Sequence, residues 1–130
     1  MTIINKIKNK TRDKMKIVEL FAGIGGFRVG FEKYKPFFKI VYSNQWEPST
    51  KIQHASDIYV KNFGSDNHSN KDIATVLTEE IPNADILVGG FPCQNYSVAT
   101  PLKYSKGIFG EKGVLWWQIE RIIREKKENK

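Results

Sequence analysis

The most constraining feature of this sequence is a short apolar run that stops at a cluster of glycines. Ile17-Val18-Glu19-Leu20-Phe21 leads into Ala22-Gly23-Ile24-Gly25-Gly26-Phe27. Five mostly apolar residues are too few for a helix and read as a buried strand. The glycines permit positive φ angles and close approach of a ligand to the backbone. From Gly26 to about Tyr34 the chain reads as a helix with Phe27, Gly30 and Phe31 on one side, closed by Pro36. The free N–H groups of a helix start suit an acidic ligand. No cofactor is named by this turn alone. Counting from Gly23, the sixth position is Arg28, so the dinucleotide fingerprint G-x-G-x-x-G fails.

The same alternation repeats downstream. Phe37 to Tyr42 reads as a second strand, followed by the polar Ser43-Asn44-Gln45. Glu47-Pro48 is expected to open a helix that ends near Gly64, since proline is tolerated in a first turn, with Ile52, Ala55 and Tyr59 on its buried face. Residues 65–71 read as a polar loop, and Asp72 as the cap of a short helix over 74–80. Ala84 to Val88, between Pro82-Asn83 and Gly89-Gly90, is a third strand. Residues 91–112 show no period and form a long loop, which in a compact domain is a functional or disordered segment. Val114 to about Lys127 is a helix with Leu115, Ile119, Ile122 and Ile123 at helical spacing. Strands alternating with helices imply an α/β fold with a mostly parallel sheet. No internal repeat is present.

The chain has 130 residues, 40% of them hydrophobic and 12% aromatic, enough for the core of one domain or of part of a larger one. Its single cysteine excludes an internal disulfide and any paired-cysteine metal knuckle. No apolar run approaches the ~20 residues of a membrane helix, and no apolar stretch follows the N-terminal lysines as in a secretory signal. A reducing, cytoplasmic setting is the expectation. The net charge of +7 sits at the two ends. Residues 1–15 read as a basic, flexible tail, with residues 16–130 as the folded part. The last ten residues carry Arg121, Arg124, Lys126, Lys127 and Lys130. Basic ends attract polyanions, but they equally serve as solvated tails, and charge does not decide the function.

Gly89-Gly90-Phe91-Pro92-Cys93-Gln94 follows the third strand directly. In an open parallel sheet, ligands bind outside the carboxyl ends of the strands, where Cys93 falls. A thiolate there is a candidate nucleophile. The competing reading, a small buried hydrophobe, is disfavoured by the position of Cys93 between a proline and a polar Gln-Asn. A zinc deaminase is excluded because its P-C-x-x-C needs a second cysteine.

Three segments, in order and at the right spacing, resemble the cytosine-C5 DNA methyltransferase family. They are Glu19-Leu-Phe-Ala-Gly-Ile-Gly-Gly-Phe27, Ser43-Asn-Gln-Trp-Glu47 and Gly89-Gly-Phe-Pro-Cys-Gln94. Asp72-Ile73 and Lys112-Gly-Val-Leu-Trp116 fit two lesser motifs, so the similarity spans roughly residues 16 to 127. The resemblance implies a Rossmann-like methyltransferase fold that uses S-adenosyl-L-methionine (AdoMet) and releases S-adenosyl-L-homocysteine. It also implies that Phe21 packs on the adenine, with Trp46 against the other face. Glu19 and the backbone of Ala22, Gly23, Ile24, Gly25 and Gly26 surround the methionine moiety. Gln45 or Glu47 bonds the ribose, Asp72 and Ile73 reach the adenine edge, and Gly90, Pro92 and Leu115 complete the set. Cys93 is the implied catalytic nucleophile toward carbon 6 of a cytosine flipped out of double-stranded DNA, with Gln94 and Ser97 on the loop that closes over it. The related tRNA cytosine methyltransferases typically carry Pro-Pro-Cys-Gln, and Phe91 favours DNA.

The sequence departs from the family pattern at two places. Gln45 stands where the family usually has a glutamate, and a neutral amide forfeits charge-assisted bonding to the ribose hydroxyls. Family enzymes also continue with a strand ending in Glu-Asn-Val and with a target-recognition domain. Neither is found in these 130 residues. The expectation is therefore an incomplete parallel sheet flanked by helices, with strand 84–88 beside strand 17–21 and its other edge unpaired. Such a chain is expected to be poorly stable and inactive alone, or to join a second polypeptide carrying the rest. A non-catalytic AdoMet-binding module is the remaining alternative.

Overall fold

The structure is a computed structural model that describes residues 13–90 and 114–128. Four parallel strands form one sheet in the order β3-β2-β1-β4. They are β1 (Met15–Leu20), β2 (Phe38–Asn44), β3 (His68–Ser69) and β4 (Ile86–Gly89). The helices are α1 (Gly26–Glu32), α2 (His54–Phe63) and α3 (Val114–Glu128). Two 3-10 turns, Ile73–Thr75 and Thr78–Glu80, precede β4. The α/β class and the placing of the third long strand beside the first agree with the sequence reading. No described helix is long and apolar enough to cross a membrane.

β1 explains why helices cover both faces. All four residues from Ile17 to Leu20 are buried, and successive side chains in a strand point to opposite faces. Val18 and Leu20 join a core with Tyr42, Ile73, Val76, Ile81, Ile119 and Ile122, which seats α3 and the 3-10 turns on one side. Glu19 faces the other side, where the Tyr59 hydroxyl of α2 donates to its Oε2 at 3.0 Å. The register between β1 and β2 shifts between Ile17 and Val18, which pair with Ile40 and Tyr42.

Several local expectations are corrected. β1 begins at Met15, inside the stretch read as tail, because Met15 N–H donates to the Phe37 carbonyl at 2.8 Å. It ends before Phe21, whose φ of 54° breaks the extended backbone. β2 starts at Phe38 and runs on through Ser43 and Asn44, which are buried because partners satisfy their polar side chains. The strand β3 lay unseen in the polar loop, since two residues carry no period. Pro48 opens no helix; α2 starts only at His54, and Ile52 is exposed. The expected helix 74–80 is instead two 3-10 turns separated by extended Val76 and Leu77. Arg121 holds that break, donating through Nη2 to the carbonyls of Ile73 and Val76 and through Nη1 to Thr78 Oγ1. Asp72 caps as expected, its Oδ1 accepting from Ala74 N–H at 3.0 Å. In α1, Phe27 is half exposed and Gly30 is exposed, while Phe31 packs edge-on against Phe38 at 5.2 Å. In α3, Ile119 and Ile122 are buried and Ile123 is exposed, as adjacent helical positions must diverge.

Candidate functional site

The carboxyl ends of β1, β2 and β4 converge on one cavity of about 690 Å³. β1 has β2 on one side and β4 on the other, so the strand order reverses there, the usual ligand position in such sheets. Phe21 and Gly23 after β1, Asn44 at the end of β2 and residues 45–49 after it, Asp72 and Ile73, Gly90 after β4 and Leu115 of α3 line it. Its volume is that of a site for a cofactor-sized molecule.

The glycine turn is fixed on two sides. Ala22 N–H donates to the Asn44 carbonyl at 2.9 Å, and Gly23 N–H donates to Gln45 Oε1 at 2.8 Å. Gly23 and Gly25 both have positive φ, 57° and 98°, which only glycine adopts without strain. Gly25 is buried under Phe63: a Cβ there would lie 2.3 Å from the ring. Phe63 in turn sits 5.0 Å from the Tyr59 ring and 5.1 Å below the Arg28 guanidinium.

Beneath the turn, on the α2 side of the sheet, lies a polar network. Both nitrogens of His68 meet hydroxyls: Nδ1 lies 2.7 Å from Ser43 Oγ and Nε2 lies 2.8 Å from Ser56 Oγ. The imidazole also stacks on Tyr59 at 4.5 Å. Burial, followed by the Arg28 charge, pushes the His68 pKa down. Burial pushes the Glu19 pKa up, against the Tyr59 hydroxyl, the Arg28 backbone N–H and the Arg28 charge.

Of the residues singled out from the sequence, the structure brings Phe21, Gly23, Gln45, Trp46, Glu47, Asp72, Ile73, Gly90 and Leu115 to the cavity wall. Ala22, Ile24 and Gly25 belong to the same turn, and Gly26 opens α1, without lining the cavity. Glu19 is not on the wall either; strand alternation turns it toward Tyr59. Pro92, Cys93, Gln94 and Ser97 lie outside the described residues. Asn44, Pro48 and Ser49 also line the cavity and were missed. Their signal was the polar run at the end of a strand, which marks a ligand side as readily as a loop.

The family model described as C-5 cytosine-specific DNA methylase matches residues 15–129. The chain belongs to the cytosine-C5 DNA methyltransferase family. It is 60% identical over 115 residues to type II methyltransferase M.Sau3AI of Staphylococcus aureus, covering 86% of this chain and 28% of that enzyme. It is 38% identical over 122 residues to type II methyltransferase M.HhaI of Haemophilus parahaemolyticus, covering 94% and 34%. A crystal structure of a Spodoptera frugiperda DNMT2 variant aligns with a TM-score of 0.52 at 26% identity, over 68% of this chain and 26% of that one. The fold is thus the Rossmann-like fold of these methyltransferases. The chain spans about a third or less of the length of the curated relatives it matches.

Proposed function

We propose that this chain is the cofactor-binding and nucleophile-bearing portion of a DNA (cytosine-5)-methyltransferase. The observation that carries the reading is the convergence of Phe21, Gln45, Trp46, Glu47, Asp72, Ile73 and Leu115 on one cavity. These side chains fit AdoMet chemically. Phe21 and Trp46 offer aromatic faces to an adenine, and Asp72 offers its exocyclic amine an acceptor. Gln45 spends its Oε1 on Gly23 N–H, which leaves its Nε2 hydrogens to donate to a ribose oxygen. AdoMet, when bound, supplies an electrophilic methyl group.

The chain's part in the chemistry is the Cys93 thiolate. Its addition to carbon 6 of an extruded cytosine makes carbon 5 nucleophilic enough to accept a methyl group. Loss of the carbon-5 proton then reforms the 5,6 double bond and expels the thiolate.

Two observations support a need for further protein. Among the described residues β4 pairs only with β1. A second cleft of about 330 Å³ opens between β4 and α3, lined by Ile81, Ala84, Ile86, Leu87, Ile122 and Ile123 among others. A free parallel edge beside an apolar cleft suits a fifth strand from the rest of the enzyme, on the same or a second polypeptide.

The test is titration of S-adenosylhomocysteine into the purified chain, followed by tryptophan fluorescence with a Trp46→Phe control. Saturable quenching that the control loses is the expected result. A folded chain with no binding refutes the cofactor reading.

A further inference from the structure

We propose that Gln53 and Asn70, neither of which lines the cavity, are positioning residues that hold its Gln45–Ser49 wall in binding form. The inference rests on the cofactor reading above. Five consecutive residues, 45 to 49, line the cavity, yet they belong to no helix or strand. Nor does apolar packing fix the segment: Trp46, Pro48, Ser49, Lys51 and Ile52 are all exposed. Its order comes from hydrogen bonds.

One carboxamide supplies both of those at Glu47. Gln53 Oε1 accepts from Glu47 N–H at 2.7 Å and from Asn70 Nδ2 at 3.1 Å. Gln53 Nε2 donates to the carbonyls of Glu47 at 2.8 Å and Thr50 at 2.9 Å. All four bonding positions of the amide are used. By engaging both the N–H and the C=O of Glu47, it acts toward that residue as a neighbouring strand does. Asn70 Nδ2 also donates to the Gln45 carbonyl at 2.6 Å, tying the start of the wall to the same amide. Gln45 N–H donates to the Ser69 carbonyl at 3.1 Å. Asn44 Nδ2 fixes the opposing segment through the carbonyls of Ser69 and Lys71. Gln45 meanwhile reaches the glycine turn through Gly23 N–H. A relay thus runs from Gln53 outside the cavity, through Gln45, to the turn on its far side.

Without the Gln53 amide the wall samples other conformations, and apparent affinity falls by the fraction of time the binding form is lost. If that form drops to a tenth, affinity drops about tenfold. The experiment compares wild type, Gln53→Ala, Gln53→Glu and Asn70→Ala as full 130-residue chains. Affinity for S-adenosylhomocysteine and for adenosine is read by calorimetry, and trypsin cleavage after Lys51 by mass spectrometry. Gln53→Glu preserves size but turns a carboxylate oxygen toward two carbonyls, so it separates donation from mere space filling.

The expected result is about tenfold weaker binding of both ligands in both Gln53 variants, faster cleavage after Lys51, and an unchanged circular-dichroism spectrum. Wild-type affinity in folded Gln53→Ala or Gln53→Glu overturns the proposal. Should Gln53→Ala fail to fold, Asn70→Ala decides, because its side chain is exposed: unchanged affinity and cleavage refute the relay. Absence of binding by wild type overturns the cofactor reading itself and this inference with it.

Discussion

Replacing Gly25 by alanine separates two costs that the glycine turn combines. At a φ of 98°, a Cβ meets the left-handed penalty of about 1–2 kcal/mol. That same Cβ lies 2.3 Å from Cε2 of Phe63, too close for any real contact, so the ring or the backbone must move. Overpacking of this kind costs about 1–3 kcal/mol. The expected destabilisation of Gly25→Ala is therefore about 2–5 kcal/mol, against a total stability of about 5–15 kcal/mol for ordinary domains. Gly23 is the internal control. Its φ of 57° carries the first cost, but a Cβ there meets nothing within 4 Å, so Gly23→Ala should lose only about 1–2 kcal/mol. Urea unfolding followed by far-UV circular dichroism measures both. Phe63→Ala completes a double-mutant cycle: in the Gly25→Ala background it relieves the contact, so the double variant should be about 1–3 kcal/mol more stable than additivity predicts. Strict additivity, or equal losses at Gly23 and Gly25, would refute the steric part of the reasoning.

Three further outcomes are expected. The raised Glu19 pKa means that the folded state keeps a proton the unfolded chain releases above 4.5. The stability tied to it is complete below pH 4.5 and is lost as pH rises through the raised value. Glu19→Gln should thus gain stability relative to wild type as pH climbs from 4.5, and a pH-independent difference in urea midpoints would sink the assignment. His68 has the opposite sign, its lowered pKa costing stability as pH falls below 6.5 through the folded value. At Arg121, a lysine has one ammonium where the guanidinium serves Thr78 Oγ1 and the Ile73 and Val76 carbonyls together. Arg121→Lys should cost about 2–4 kcal/mol from acceptors left unpaired, and a loss under about 0.5 kcal/mol in the same urea assay would contradict the clamp.

The long strands were legible from their apolar runs, while the place of the third beside the first and most of the cavity wall were legible through the resemblance to the family. Val18 and Leu20 on one face and Ile17 on the other mark a strand covered on both sides, with Glu19 as its one charged residue. Phe21 and Trp46 stood out because their family motifs follow expected strands, and Asp72 stood out through a family motif alone, the strand before it being unseen. What escaped prediction was set by side chains that replace regular backbone bonding. The amide of Gln53 displaced a helix from Pro48 to Ile52 that proline placement alone allowed. The fork of Arg121 broke a helix that residues 74–80 otherwise support. Glu19 shows the same limit: its motif points to the ligand, while the period of two in β1 carries its carboxylate to Tyr59. Propensity scales see the residue, not the distant partner that claims it.

The pairing of β1 with β4 has a consequence for how this protein comes off the ribosome. Ile17 lies against Ile86, and Lys16 N–H donates to Asp85 Oδ2, contacts across 69 residues of chain. The cavity that follows draws its walls from Phe21 at one end to Leu115 at the other. Its first wall is therefore synthesised nearly a hundred residues before its last. Local helices can form early, but the long-range strand pair must wait for its partner to emerge. A ligand that requires all of these walls cannot assist the nascent chain. It can only retain a sheet that has already closed, stabilising it by mass action once the β1–β4 pair and α3 are in place.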